Sequence, residues 1–80
     1  MAIEYKKNLA IFSDVVSVEE AEALLEWMQK KTAARVDLSA CEHLHPANLQ
    51  VLMAARPVVS AWPKDAGLTT WLQSALKIPD

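Results

Sequence analysis

The chain has 80 residues and a mass of 8.9 kDa, for which area scaling gives roughly 12,900 Å² exposed when extended and about 4,800 Å² when folded, enough burial for one core and no second one. With 52% hydrophobic residues, 22% charged residues, a single Gly and a net charge of −2, the composition excludes an intrinsically disordered chain. Eight basic against ten acidic residues leave no overall electrostatic footprint for nucleic acid or anionic lipid, and the pairs Lys6-Lys7 and Lys30-Lys31 read as solvated ends.

Ile3, Tyr5, Leu9, Ile11 and Phe12 around the polar Lys7-Asn8 step predict a short hairpin or one bent strand over residues 3–12. Ser17-Val18-Glu19-Glu20 has the form of a capping box, in which the Ser17 hydroxyl accepts from the Glu20 amide. Ala21, Leu24, Leu25 and Met28 then recur at i, i+3, i+4 and i+7, the apolar stripe of a helix facing a core. Residues 33–41 predict a strand with Val36 and Leu38 on one face and Asp37 and Ser39 on the other. Pro46 suits the first turn of a second helix, where its missing N–H costs nothing. Leu49, Leu52 and Met53 are the expected core face of that helix, and Arg56-Pro57 ends it. Val58, Val59, Ala61 and Trp62 predict a further strand closed by Pro63. Asp65 is placed to cap a last helix with Leu68, Trp71, Leu72, Ala75 and Leu76 inward, stopped by Pro79.

The order β(β)αβαβα predicts a single α/β domain over residues 1–80, with a mostly parallel sheet and helices packed on it. Ligands and partners of such sheets meet the carboxyl ends of the strands, here residues 39–48. One cysteine, Cys41, excludes an internal disulfide. The amino-terminal MAIEYKKN lacks the order of a signal peptide, and no apolar run approaches about 18 residues. A cytoplasmic location without direct membrane insertion is expected.

Val36-Asp37-Leu38-Ser39-Ala40, followed after four residues by His45-Pro46-Ala47-Asn48-Leu49-Gln50-Val51-Leu52, resembles the signature of the STAS domain, the sulfate transporter and anti-sigma factor antagonist domain. The resemblance extends in outline over the preceding hairpin, the first helix and the last. It implies a non-catalytic bacterial regulatory module that binds a protein partner: an anti-sigma factor, a histidine-kinase-like protein, or another signalling or transport-complex subunit. By the same resemblance the docking surface comprises His45, Pro46, Ala47, Asn48, Gln50 and Val51. Pro46 stands where regulated members carry a phosphorylatable Ser, His45 stands at the preceding Asp and Asn48 at the Gly. A pyrrolidine has no hydroxyl to phosphorylate, so a phosphorylation switch at Pro46 is not expected.

A second reading comes from the residues alone. Cys41, His43 and His45 recur at every second position, and an extended strand would set a thiol and two imidazoles on one face as ligands for zinc or copper. Catalysis has less support. The single Gly, Gly67, excludes a glycine-rich phosphate loop, Asp37 has no partner carboxylate, and Cys41 has no well-placed base. No cofactor is expected. Trp71 is read as core, whereas Trp27 and Trp62 fall on flanks where partial exposure would let them anchor a partner or a weak homodimer.

Overall fold

The computed structural model describes residues 2–31 and 33–76. Its elements are β1 (Ile3–Tyr5), β2 (Leu9–Val16), a single 3₁₀ turn (Val18–Glu20), α1 (Ala21–Gln29), β3 (Arg35–Leu44), α2 (Pro46–Ala55), β4 (Val58–Ala61) and α3 (Ala66–Leu76). The four strands form one sheet in the order β1-β2-β3-β4. β1 is antiparallel to β2, while the pairs β2/β3 and β3/β4 are parallel. The sheet is therefore mixed and matches the expected mostly parallel arrangement only in part, because the first connection is a tight hairpin and the other two are helical crossovers. Lys6 N–H donates to the Leu9 carbonyl at 2.7 Å to close that hairpin.

The helices form one layer, with α2 packed between α1 and α3. The sheet face beneath them carries Ile3, Ala10, Phe12, Val16, Val36, Leu38, Cys41 and Leu44, all buried. Leu24 and Met28 of α1, Leu49, Val51 and Leu52 of α2 and Leu72 of α3 complete the core. Residues alternating with these on β2 and β3, such as Ile11, Ser13, Asp37 and Ser39, stand on the uncovered face and are half-buried. Tyr5 packs against Trp27 with ring centroids 5.4 Å apart, and the Lys31 ammonium lies 5.8 Å from the Trp27 ring centre. Trp27 and Trp62 are half-buried, as their flanking positions predicted. Burial, and then the nearby Glu20 carboxylate, push the Tyr5 phenol above its ordinary pKa.

Several elements differ from expectation for local reasons. Ser17 makes no side-chain cap. Residues 18–20 form a 3₁₀ turn instead, so the Glu20 N–H donates to the Ser17 carbonyl at 3.1 Å and is no longer available to the hydroxyl. α1 therefore starts at Ala21, and its buried residues are Leu24 and Met28, with Ala21 half-buried and Leu25 left 39% exposed at the layer's surface. β3 runs to Leu44, three residues beyond the predicted end. Trp71 is 39% exposed, whereas Leu72 beside it is fully buried, because the two lie about 100° apart on α3. Asp65 caps α3 as predicted, its carboxylate accepting from the Leu68 N–H at 2.8 Å. Pro79 lies outside the described residues.

α2 shows the largest change of face. At about 100° per residue, Asn48, Leu49, Val51 and Leu52 form one continuous buried arc, wide because the helix has a neighbour on each side and the sheet below. Pro46, Gln50, Met53 and Ala54 lie opposite and are exposed. Met53, expected inside, is 44% exposed. Arg56 then ends the helix in the left-handed region at φ 52°, its N–H donating to the Leu52 carbonyl at 2.8 Å. Leu52→Ala is expected to cost about 2–5 kcal/mol in urea unfolding, and Met53→Ala to stay within about 0.5 kcal/mol. Equal losses at the two positions would contradict the assigned face.

Candidate functional site

The carboxyl end of β3 and the start of α2 hold the chemically distinctive side chains, and the register of β3 decides where each one points. From Ile11 to Val15 the chain takes four steps along β2, while the paired residues Asp37 to His43 take six along β3. β3 thus carries two extra residues, accommodated at shifts between Ile11 and Ser13 and between Asp14 and Val15. At the second shift Asp14 adopts φ 53°, a left-handed conformation that Asp tolerates better than most residues. Each bulge interrupts the in-out alternation. Buried positions therefore run Val36, Leu38, Cys41, Leu44 rather than at every second residue.

This phase change separates the three candidate metal ligands. Cys41 is 3% exposed and belongs to the core, its thiol donating to the His43 carbonyl at 3.6 Å. Burial pushes the thiol above its ordinary pKa, an effect only partly offset by that hydrogen bond. His43 is exposed. His45 is also exposed, and its Nδ1 accepts from the Ala47 N–H at 3.0 Å. The expected common face of Cys41, His43 and His45 does not form, and no group of three or more His, Cys, Asp or Glu among the described residues is arranged to hold a metal ion.

His45 is the N-cap of α2, with φ −65° and ψ 141°, and Pro46 occupies the first turn. An imidazole nitrogen here satisfies one of the amides that a helix start leaves without partners, the role usually taken by Ser, Thr, Asp or Asn. The His45 N–H donates to the Val16 carbonyl at 2.9 Å, which ties this corner to the end of β2.

Asn48 strengthens the same joint from inside. Its side chain is fully buried, and its Nδ2 donates to the Ser17 carbonyl at 2.7 Å, with a longer contact to the Val16 carbonyl at 3.5 Å. Its Oδ1 has no hydrogen-bond partner among the described residues. Asn48 and Val51 were expected on the docking surface; both are instead inside, Val51 at 9% exposure, because they lie on the side of α2 that faces the 3₁₀ turn and the neighbouring helices. His45, Pro46 and Gln50 are exposed as expected and Ala47 is half-buried. Met53 joins them. Its position one turn beyond Gln50 was visible in the sequence, but its apolar character assigned it to the core.

An open cleft of about 420 Å³ lies beside this corner, lined by Ser39, Ala40, Cys41, Glu42, Lys64 and Asp65. Asp65 is committed to capping α3. Asp37, lower on β3, accepts from both the Ser39 N–H at 2.9 Å and the Ser39 hydroxyl at 2.7 Å, which hold its carboxyl below the ordinary pKa. Asp65 and Asp37 are thus each engaged in local hydrogen bonds, and the Cys41 thiol donates to a backbone carbonyl rather than to a base.

No protein family, curated protein or solved structure matches the chain.

Asn48→Ala removes the bond to the Ser17 carbonyl and the packing of a fully buried side chain, so Tm is expected to fall by about 5–15 °C. Gln50→Ala should move it by no more than about 2 °C. Calorimetry on the two variants checks this, and equal small shifts would contradict the buried placement of Asn48.

Proposed function

We propose that the chain is a non-catalytic regulatory module of the STAS type that binds a bacterial protein partner through the outer face of α2. Its docking residues are His45, Pro46 and Gln50, joined by Met53, with Asn48 and Val51 supporting that face from beneath. The observation that carries this reading is the exposed stripe of α2: Pro46, Gln50 and Met53 fall at i, i+4 and i+7, the spacing by which one helix face meets another surface. Flanking helices add apolar area to the same layer, Leu25 on α1 at 39% exposure and Trp71 on α3 at 39%. Exposed Met and Trp are enriched where proteins meet.

Pro46 bears on regulation. It stands at the first turn of α2, where a phosphorylated hydroxyl would gain from the helix's positive end, and it has none to modify. The module is read as a constitutive binder, acting in the cytoplasm as a monomer or weak homodimer. Among the described residues no helix is long and apolar enough to cross a membrane. The partner belongs to the anti-sigma, histidine-kinase-like or transport-complex class that the sequence resemblance implies.

Paired affinity purifications from the native host test this reading, with the wild-type chain and with Gln50→Arg/Met53→Asp, both shown to be folded by circular dichroism. A partner retained in a fixed ratio by the wild type and lost by about tenfold or more in the variant is expected. Equal retention by both chains would overturn the assigned surface.

A further inference from the structure

The small net charge conceals a separation of charge that the topology produces. β2, β3 and β4 are parallel and start side by side at Leu9, Arg35 and Val58. Backbone hydrogen bonds from Arg35 to the Asn8 carbonyl at 2.8 Å and from Val58 to the Ala34 carbonyl at 3.0 Å tie this end together. Lys6 and Lys7 in the β1–β2 turn, Lys30 and Lys31 after α1, Arg35, and Arg56 after α2 all fall here, six of the eight cationic residues. Asp14, Glu19, Glu20, Glu22, Glu42 and Asp65 gather at the other end, around the ends of β2 and β3 and the starts of α1 and α3.

Half of the basic end has a structural explanation. Lys30, Lys31 and Arg56 follow the carboxyl termini of α1 and α2, whose negative dipole ends favour cations. Lys6, Lys7 and Arg35 belong to a turn and a strand and have no such role. Leu9 and Arg35 alternate with the buried Ala10 and Val36, so they stand on the sheet face away from the helices. Together with Lys6, Lys7, Asn8 and Ser60 they line an open cleft of about 440 Å³. Lys6 shares an exposed contact with Glu4 at 3.5 Å, and among the described residues neither Lys7 nor Arg35 has a carboxylate within ion-pair distance. Asp37, two residues along the same face, is turned to Ser39.

We propose that this cleft binds a multiply charged oxyanion of the phosphate or polyphosphate class, held by Lys6, Lys7 and Arg35. The guanidinium fork matches two oxygens of one phosphate, and lysines serve as point charges for the next. In so open a setting each charge is screened, so a single carboxylate gains little, while a ligand that spans three cations accumulates attraction. The site is distinct from the outer face of α2 and stands whether or not that face docks a partner.

Titration of the full chain with sodium tripolyphosphate, followed by nuclear magnetic resonance and compared with sodium chloride at matched ionic strength, tests it. The expected result is saturable binding, with shifts centred on residues 6–9 and 35. Affinity should weaken by about tenfold in Arg35→Gln and in Lys7→Gln, and be unchanged in Lys64→Gln at the opposite end. Shifts that follow ionic strength without saturating, or equal weakening by Lys64→Gln, would overturn the site. A parallel arm with phosphatidic-acid vesicles separates sources of phosphate: binding to vesicles without binding to tripolyphosphate would overturn the small-ligand assignment in favour of a lipid surface.

Discussion

The fold depends on how β3 fits between β2 and β4. As an interior strand it must satisfy backbone groups on both edges while presenting a continuous apolar face to the helices, yet it carries two more residues than the stretch of β2 it accompanies. The excess is absorbed as two shifts in register, and each re-aims the side chains beyond it. Without them, Cys41 and His43 would share a face. With them, Cys41 joins Leu38 and Leu44 in the core, and the strand delivers His45 to the end of β2, where its N–H meets the Val16 carbonyl.

That delivery fixes the start of α2. The imidazole of His45 caps the helix, Pro46 begins it, and Asn48 anchors it inward to the Ser17 carbonyl. The same carbonyl accepts from the Glu20 N–H, so one backbone group joins the 3₁₀ turn before α1 to the first turn of α2. A short chain with limited core area gains from such joints, because each fixes the angle of an element that hydrophobic burial alone leaves loosely determined. Once the 48/52 side of α2 is held inward, the 46/50/53 side must face solvent. Direction also decides charge: parallel strands bring the connections that precede them to one end, and those connections hold most of the lysines and arginines.

Much of this was legible in the sequence, and what was not has physical causes. Simple alternation sets Val36 and Leu38 on one face of β3 and Asp37 and Ser39 on the other, which the structure bears out, and Pro46, Arg56-Pro57 and Asp65 mark helix ends because proline and capping chemistry act locally. Alternation failed beyond Ser39, since a bulge depends on the partner strand's length and leaves no mark on the bulged strand itself. The phase of α2 was misjudged for a related reason. By sequence, Met53 takes the core face its apolar character favours and Asn48 the docking surface the family resemblance implies, whereas a buried hydrogen bond to Ser17 turns Asn48 inward and leaves Met53 exposed. The Ser17 capping box was displaced by a 3₁₀ turn using the same N–H. Charge segregation is absent from composition, because it arises only when the turn residues 6–7 and the strand residue 35 are brought to one end.

The phase of β3 is the premise on which the corner, the α2 face and the separation of Cys41 from the histidines all rest, and thiol labelling tests it most directly. Native Cys41 is compared with a cysteine introduced as His43→Cys in a Cys41→Ala background, both in folded protein. The position-43 thiol is predicted to react with a maleimide at least about tenfold faster than Cys41, since one is exposed and the other buried with a raised pKa. Comparable rates at the two positions, as uninterrupted alternation would give, would contradict the account.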